Sequence, residues 1–299
     1  MVNKIKIKRV IRSLVRSILF IKEQETIEDG LKRKILKLKQ YFNNQKISKN
    51  EFTDLIKGSG IKKGDTLIVH CAWRGCYMLS ISPDDVIEIL FDVIGTEGTV
   101  LMPCYGKSMQ FLDIRYSKSA AGVLSERFRT MNGTIRSEFP HFCMCANGKN
   151  ASLLIEGHEK STVSFDVYSP YYKAVYEHDA KILMLGMDNH TVKTPIFHHA
   201  AVMSINKSLY YRELYSETEN AKVIDSKGNE KNLSYKVLNK NYINDWRKFR
   251  RIVKGRELYI NKYKGFCIKL IDGKALFNAA RDYCECGGEI YKFRRNVTR

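Results

Sequence analysis

Hydrophobic and polar positions from residue 48 onward alternate between helical and strand-like spacing. Ser48, with Glu51 three residues later, has the pattern of a capping box, which predicts a helix that the glycines of residues 58–60 end. A Lys-Lys-Gly-Asp turn then leads into Thr66–Val69, a β-branched segment typical of a buried strand. The first unit of this region is therefore predicted as a helix followed by a strand.

The same order returns in the next stretch of the chain. Ser82 and Pro83 are followed by two acidic residues, a combination that favours a helix start, and we predict a helix over Asp85–Ile94. The turn at residues 95–98 leads into a second strand, Thr99–Met102. Two such units within about fifty residues indicate an α/β sheet covered by helices.

Farther along, the pattern predicts another buried strand, a helix and a polar segment. Lys181–Gly186 is a continuous apolar run of strand length, and Thr194–Leu209 has helical spacing after Pro195. Residues 216–240 are rich in Asn, Lys, Ser and Glu, and we interpret them as a polar hairpin or excursion. The sequence shows no internal repeat.

The first residues of the chain predict a basic amphipathic helix. Its apolar positions are Val10, Ile11, Leu14, Val15 and Ile18, and its basic positions are Lys6, Lys8, Arg9, Arg12 and Arg16. Such a helix is compatible with peripheral contact to an anionic membrane surface through residues 4–22. It is equally compatible with packing on the protein's own core or on a second subunit in a homodimer. We expect residues 1–47 to be a basic helical extension and residues 48–299 to be the α/β domain.

The formal net charge of +19 is concentrated at the two ends of the chain. Lys and Arg outnumber Asp and Glu by ten in residues 1–50 and again by ten in residues 240–299, which leaves the centre nearly neutral. A nucleic-acid groove through the central domain is therefore not expected.

Cysteine usage and the absence of targeting signals predict a cytoplasmic protein, at the membrane surface if the first helix binds lipid. The eight cysteines show neither a CxxC pair nor disulfide-framework spacing, and the chain has no run of eighteen apolar residues. Two Cys-x-Cys pairs, at 143/145 and 284/286, have a spacing that suits zinc poorly, so we expect no metal. Cys104 or Cys143 beside a histidine remains an alternative acyl-accepting nucleophile.

Six segments, taken in order, resemble the antibiotic N-acetyltransferase family, whose founding members are aminoglycoside 3-N-acetyltransferases. They are Gly60–His70, Thr96–Tyr105, Gly122–Phe128, Arg136–Pro140, Gly157–Pro170 and Leu183–Gly186. The resemblance implies transfer of an acyl group from acetyl-CoA or another acyl-CoA, used as cosubstrate, to a small-molecule amine. It also implies an α/β three-layer sandwich with a mixed β-sheet covered by helices.

The resemblance places the catalytic base at His198. The family carries a Thr-x-x-His-x-x-Glu pattern here, in which the histidine acts as base and the glutamate orients it. In this chain Ala201 stands where the glutamate is expected, so another acid is needed, and Asp188 and Glu213 are the candidates. His199 is the alternative base, and the other five histidines are weaker candidates.

The resemblance also assigns coenzyme contacts to two loops. The loop after the first strand would offer backbone amides to the coenzyme A pyrophosphate, and Arg136 would bind phosphate. The residues concerned are His70, Cys71, Ala72, Trp73 and Arg74 in the first loop, and Arg136, Ser137 and Cys143 in the second. Cys71 and Ala72 replace hydroxyl residues of the family, Phe139 replaces a histidine and Cys143 a serine.

Three acceptor hypotheses follow. A strongly basic chain favours an anionic partner, so we expect an amino sugar, nucleotide-linked or destined for a surface polysaccharide. The family name supports an aminoglycoside as the alternative. Because Ala201 replaces the glutamate, a non-catalytic relative that binds coenzyme A or a sugar is the third.

Overall fold

The computed structural model describes residues 13–18, 27, 30, 31, 34, 35, 38, 45–187 and 194–293. The chain divides into two compact units, Met1–Lys46 and Ile47–Arg299. In the first unit residues 13–18 are helical, as their apolar spacing predicts. The remainder of the segment 4–22 lies outside the described residues.

The second unit alternates helices and strands. Its helices are α1 (Lys49–Gly58), α2 (Pro83–Ile94), α3 (Val123–Arg129), α4 (Ala151–Ile155), α5 (Pro170–Glu177), α6 (Thr194–Met203), α7 (Leu209–Leu214), α8 (Trp246–Val253) and α9 (Gly273–Glu285). Its strands are β1 (Thr66–Cys71), β2 (Thr99–Pro103), β3 (Phe111–Asp113), β4 (Ile135–Arg136), β5 (Met144–Gly148), β6 (Lys181–Leu185), β7 (Glu217–Ile224), β8 (Glu230–Val237), β9 (Tyr242–Asn244), β10 (Glu257–Tyr263), β11 (Phe266–Asp272) and β12 (Tyr291–Phe293).

A seven-stranded sheet with the order β10-β11-β6-β1-β2-β5-β4 forms the centre of this unit. Strand β1 pairs in parallel with both β2 and β6, so that Ile68 lies opposite Leu101 on one side and Ile182 on the other. The other neighbouring strands of this sheet pair antiparallel. The three parallel strands are the apolar runs recognised in the sequence, because strands covered on both faces need apolar residues at every position. The predicted mixed sheet is confirmed.

Alternate residues of the central strands enter two separate hydrophobic layers. Ile68, Leu101 and Ile182 pack in one layer with side chains of α4, α5, α6 and α9. The other layer contains side chains of α1, α2 and α3, and the strand residues that face it are Leu67, Val69, Val100, Met102, Leu183 and Leu185. Successive side chains of a strand point to opposite faces, so helices cover both sides of the sheet. This is the predicted three-layer sandwich.

The polar segment 216–240 is the hairpin that the sequence predicts. Strands β7 and β8 pair antiparallel, and β3 adds to β7 to make a three-stranded sheet. The Asp225 carboxylate accepts hydrogen bonds from the amides of Lys227 and Asn229, which closes the turn. Tyr235 of β8 is buried against Phe139, so one face of the hairpin packs on the domain.

The prediction of one helix over Thr194–Leu209 was wrong in its length. Helix α6 ends at Met203, and α7 begins at Leu209. The Ser204 hydroxyl donates to the Ala200 carbonyl, and the Ser204 amide turns back to Ala201, which tightens the last turn. Ser208 then adopts an extended backbone before α7. The chain reverses between the two helices, and this reversal shapes the site described next.

Candidate active site

His198 lies on α6 at the centre of an aromatic cluster. Its side chain is buried, and its Nδ1 lies 3.0 Å from the hydroxyl oxygen of Tyr215. Five rings have centroids within 6.5 Å of the imidazole, and they belong to His141, Phe142, Phe165, Tyr215 and Tyr291. Among the described residues, no other group is hydrogen-bonded to this imidazole. One nitrogen is therefore held by Tyr215, and Nε2 is left for another partner.

Burial strongly disfavours the charged form of His198. Burial lowers the pKa of His198 to about 3, and the neighbouring His141 adds to the effect. The imidazole is therefore neutral at pH 7. A neutral imidazole has one N–H donor and one acceptor nitrogen, and the partner of the first decides which nitrogen is free to accept a proton.

Two phenylalanines beside His198 have an unusual backbone. Phe142 and Phe165 have φ angles of 63° and 66°, a left-handed conformation that bulky residues rarely adopt. Their rings lie 5.0 Å apart, and 5.6 and 5.8 Å from the imidazole of His198. Such conformations cost on the order of 1–3 kcal/mol each and cluster at functional sites. Their position supports the assignment of this region as the site.

His141 is a second histidine at this site. Its Nδ1 lies 2.8 Å from the Ser164 hydroxyl, and its ring is 6.0 Å from Tyr235 and 6.5 Å from His198. Burial lowers the pKa of His141 to about 4. His141 is only partly buried, so solvent reaches it more readily than His198. From the sequence alone, His141 is one of the five weaker histidine candidates.

The alternative base, His199, is occupied on both nitrogens. Its Nδ1 donates to the Phe165 carbonyl at 3.0 Å, and its Nε2 lies 3.3 Å from the Tyr176 hydroxyl. The side chain is fully buried, and burial lowers its pKa to about 4. A histidine enclosed in this way holds the loop of Phe165 in place. Its assignment as the alternative base stays a prediction, and in this structure both of its nitrogens already have partners.

Of the two candidate acids, only Glu213 lies among the described residues. Ala201 is fully buried in the core on α6, and Glu213 is exposed on α7 between side chains that point inward. Glu213 therefore does not orient His198, contrary to that prediction. Asp188 and His190 lie outside the described residues.

The first predicted coenzyme loop follows β1 and is held by backbone contacts. The Ala72 amide donates to the Leu185 carbonyl, and the Gly75 amide donates to Ala72. A Cβ on Gly75 would lie 2.0 Å from the Gly186 carbonyl oxygen, so only glycine allows this approach of the two strand ends. Residues 73–76 form a single 3₁₀ turn. The loop is thus fixed at the carboxyl ends of β1 and β6.

One exposed side chain and two backbone amides of this loop can contact a ligand. Arg74 is exposed, and the amides of Trp73 and Arg74 have no acceptor among the described residues. His70, at the end of β1, is hydrogen-bonded through Nε2 to the Tyr171 hydroxyl. Burial lowers the pKa of His70 to about 3, so its imidazole is neutral. The loop therefore offers a cation and two amides for an anion.

The side chains of the second predicted coenzyme loop are buried and hydrogen-bonded within the protein. Arg136 is buried, and its terminal nitrogens donate to the carbonyls of Ser117 and Cys104. Ser137 is fully buried beside His158, whose Nδ1 lies 2.8 Å from its hydroxyl. The Cys143 thiol also donates to the Cys104 carbonyl. Arg136 and Cys143 thus hold the chain just after β2, and Ser137 also accepts a hydrogen bond from the Met144 amide. Their assignment as coenzyme contacts stays a prediction.

A profile of the antibiotic N-acetyltransferase family, described as aminoglycoside 3-N-acetyltransferase, matches residues 68–285. The match covers most of the chain. The chain belongs to this family. The matched region includes β1 from Ile68 onward, β2 to β11 and all of α9, so both loops and the His198 helix lie inside it.

Similar proteins carry related names. The SPbeta prophage-derived aminoglycoside N(3')-acetyltransferase-like protein YokD of Bacillus subtilis (strain 168) is 25% identical over 166 residues, which are 47% of this chain and 60% of YokD. Aminoglycoside N(3)-acetyltransferase IV of Salmonella sp is 29% identical over 161 residues, 52% of this chain and 59% of that protein. The chain thus spans about three fifths of the length of these two curated relatives.

A solved structure of AAC-IIIb, in a binary complex with CoASH, has the same fold. It aligns with a TM-score of 0.66 and 21% identity, over 81% of this chain and 97% of its own. At this level of identity the likeness shows the shared fold. Within it, Tyr215 is the hydroxyl group beside the histidine that lacks the expected glutamate.

No group of three or more His, Cys, Asp and Glu side chains in the described part is arranged to hold a metal ion. No helix there is long and apolar enough to cross a bilayer.

Proposed function

We propose that this family member is an acyl-CoA-dependent N-acyltransferase that transfers an acetyl group to the amine of an amino sugar. The observation that carries the proposal is the neutral, buried His198, held at Nδ1 by Tyr215 in the fold of the family. Tyr215 takes the place of the missing glutamate as the group that orients the imidazole. A hydroxyl fixes the ring without adding a negative charge.

The chemistry requires one proton acceptor. When Nδ1–H donates to Tyr215, the lone pair of Nε2 faces away from that bond and is free to accept a proton. The neutral amine of the acceptor attacks the thioester carbonyl, the C–N bond forms, and the amine proton passes to Nε2. The C–S bond then breaks, and the imidazolium returns the proton to the departing thiolate. The products are an amide and free coenzyme A, and no acyl-enzyme forms.

The low pKa of His198 determines when the proton moves. A base with a pKa of about 3 does not deprotonate an ordinary alkylammonium ion. The amine nitrogen becomes far more acidic once it is bonded to the carbonyl carbon, and proton transfer to Nε2 occurs at that stage. Binding of an already neutral amine is therefore required, and the rate should rise with pH until the acceptor amine is deprotonated.

The 70–76 loop is the proposed site for the phosphates of the coenzyme. Arg74 and the amides of Trp73 and Arg74 are the open groups there. They lie at the carboxyl ends of parallel strands, where anions are commonly bound in α/β folds. Arg136 acts indirectly in this proposal, because it holds the Cys104 carbonyl beside β2.

Aromatic rings around His198 support an uncharged or anionic sugar as the acceptor. Phe142, Phe165 and Tyr291 surround the imidazole. Among the described residues, no carboxylate is hydrogen-bonded to His198. A sugar ring packs on aromatic faces, whereas a polycation is better served by carboxylates. The names of the relatives favour the second candidate, aminoglycoside 3-N-acetylation.

The test is acetyl-CoA-dependent release of thiol with a panel of amino sugars, nucleotide-linked amino sugars and aminoglycosides. The decisive variant is His198→Asn, whose amide preserves a group near Tyr215 but removes Nε2. His199→Asn is the matched control, since it is buried on the same helix and keeps a donor for Phe165. We expect thiol release to fall at least 100-fold in His198→Asn and less than 5-fold in His199→Asn, with both proteins folded.

Two results would change the assignment. Coenzyme A binding without thiol release from any acceptor would identify a non-catalytic relative. Thiol release that His198→Asn leaves intact would remove His198 as the base and favour His141. Peripheral membrane contact through residues 4–22 and a homodimer remain separate predictions, to be tested by vesicle sedimentation and by light scattering.

A further inference from the structure

Two cysteine thiols lie side by side in the 70–76 loop. Cys71 is the last residue of β1, Cys76 ends the 3₁₀ turn, and their sulfur atoms are 3.6 Å apart. A disulfide bond has an S–S length of about 2.05 Å, so a movement of about 1.5 Å would join them. Only four residues separate the two cysteines, and the 3₁₀ turn has already folded them together.

The two thiols differ in access. Cys71 is partly exposed, whereas Cys76 is buried. The contact with Cys71, together with burial, raises the pKa of the Cys76 thiol. An oxidant therefore reacts with the Cys71 thiol first. Cys76 is the nearby thiol that can then form a disulfide with the oxidised sulfur. This pairing of an accessible and a resolving cysteine is typical of redox-sensitive sites.

The position of Cys76 links its oxidation to the shape of the loop. A Cβ on Gly186 would lie 2.8 Å from the Cys76 sulfur and 2.7 Å from the Ala72 carbonyl oxygen, so Cys76 is packed tightly on this strand end. Moving Cys76 toward Cys71 displaces the turn that carries the open amides of Trp73 and Arg74. These amides are the groups to which the proposed function assigns the coenzyme phosphates.

We propose that Cys71 and Cys76 form a reversible, peroxide-sensitive thiol pair whose disulfide weakens coenzyme binding at this loop. In the first step the Cys71 thiol reacts with a hydroperoxide, giving a sulfenic acid and, from hydrogen peroxide, one water. In the second step the Cys76 sulfur attacks the sulfenic sulfur, forms the S–S bond and releases a second water. Two thiols are oxidised by two electrons and one peroxide is reduced. Thiol reductants reverse the change.

The other cysteines provide contrasts within the same chain. Cys104 and Cys143 are fully buried, and the Cys143 thiol donates to the Cys104 carbonyl. Cys286 is exposed, and it serves as a control for an accessible cysteine outside the loop. Peroxide should therefore modify Cys286 at a single sulfur and join only the pair in the loop.

The experiment uses the full-length protein, reduced and then treated with about one equivalent of hydrogen peroxide. Free thiols are blocked under denaturing conditions, and trypsin then cuts after Arg74, which separates the two cysteines. We expect a disulfide-linked pair of peptides, 64–74 with 75–107, and fragmentation assigns the bond to Cys76 instead of Cys104. Dithiothreitol should restore both thiols. Absence of this linked pair would overturn the inference.

The coenzyme readout is calorimetry with free coenzyme A before and after oxidation. We expect affinity to fall at least 10-fold on oxidation, to recover with dithiothreitol, and to be insensitive to peroxide in Cys71→Ser. Cys286→Ser should behave as the unmodified protein does. Equal affinity in the reduced and disulfide forms would refute the effect on binding. If the linked peptides form but the reduced protein binds no coenzyme A, the thiol pair stands and the proposed function fails.

Discussion

Buried neutral histidines should make this protein acid-labile well above the range where its carboxylates are protonated. His158, His198 and His199 are almost fully buried, and burial lowers their pKa values to about 3, 3 and 4. In the unfolded chain each has a pKa near 6.5. Between pH 6.5 and pH 4 the unfolded chain therefore binds more protons than the folded one. Stability is full above pH 6.5 and falls as the pH is lowered through this window.

The magnitude follows from the linkage relation. At pH 5 each of the three histidines is protonated in the unfolded chain and neutral in the folded protein, which costs about 1.4 kcal/mol per pH unit below 6.5. Each therefore loses about 2 kcal/mol between pH 7 and pH 5, and together they lose about 6 kcal/mol. A domain is commonly stable by 5–15 kcal/mol, so we expect unfolding near pH 5 or a marginal folded state there.

The assay is urea unfolding at intervals between pH 5 and pH 8, with the slope of free energy against pH giving the proton uptake. We expect these three histidines to give an uptake approaching three protons near pH 5. The partly buried His70 and His141 should add to that uptake. His158→Asn keeps a donor near Ser137 and should remove about one proton from that slope. A slope below one proton at pH 5, or no change in His158→Asn, would refute the reasoning.

Two further predictions concern the loop and the orienting hydroxyl. Gly75→Ala places a Cβ 2.0 Å from the Gly186 carbonyl oxygen and should lower the free energy of unfolding by roughly 2–4 kcal/mol. The control is Gly58→Ala, because the space around Gly58 is open. This control should change the free energy of unfolding by less than about 1 kcal/mol. Equal urea midpoints in the two variants would contradict this packing. Tyr215→Phe leaves Nδ1 of His198 without its partner, and we expect a stability loss of about 1–3 kcal/mol together with a lower kcat at an unchanged KM for acetyl-CoA. Steady-state kinetics that match the unmodified enzyme would exclude Tyr215 as the positioning residue.

Elements with strong local signals could be predicted from the sequence. Ser48 makes the expected capping box with Glu51, and Ser82, at the expected helix start, also makes one with Asp85. The apolar runs of β1, β2 and β6 became the parallel centre of the sheet, because a strand buried on both faces has no polar alternation. These features depend on neighbours a few residues away, so a single sequence contains enough information to find them.

The site depended on contacts that no local pattern encodes. A continuous helix from His198 to Tyr215 would separate the two by about 25 Å along its axis, because each residue advances 1.5 Å. The break after Met203 instead brings them within hydrogen-bonding distance. Arg136 is a second case in which the sequence motif does not show the contacts of the side chain. Its motif suggested a phosphate ligand, yet the antiparallel addition of β4 to β5 buries it beside the carbonyls that it holds.

The antiparallel strand β11 has a consequence for synthesis of the protein. It covers the free edge of β6, and the two strands are far apart in sequence, since β6 ends at Leu185 and β11 ends at Asp272. At ribosomal speeds of about 5–20 residues per second, roughly 5–20 s pass between the emergence of the two strands. During that interval the most apolar strand of the nascent sheet has an open edge. Slow elongation in this stretch, or a chaperone that occupies the edge, should therefore govern the yield of folded protein.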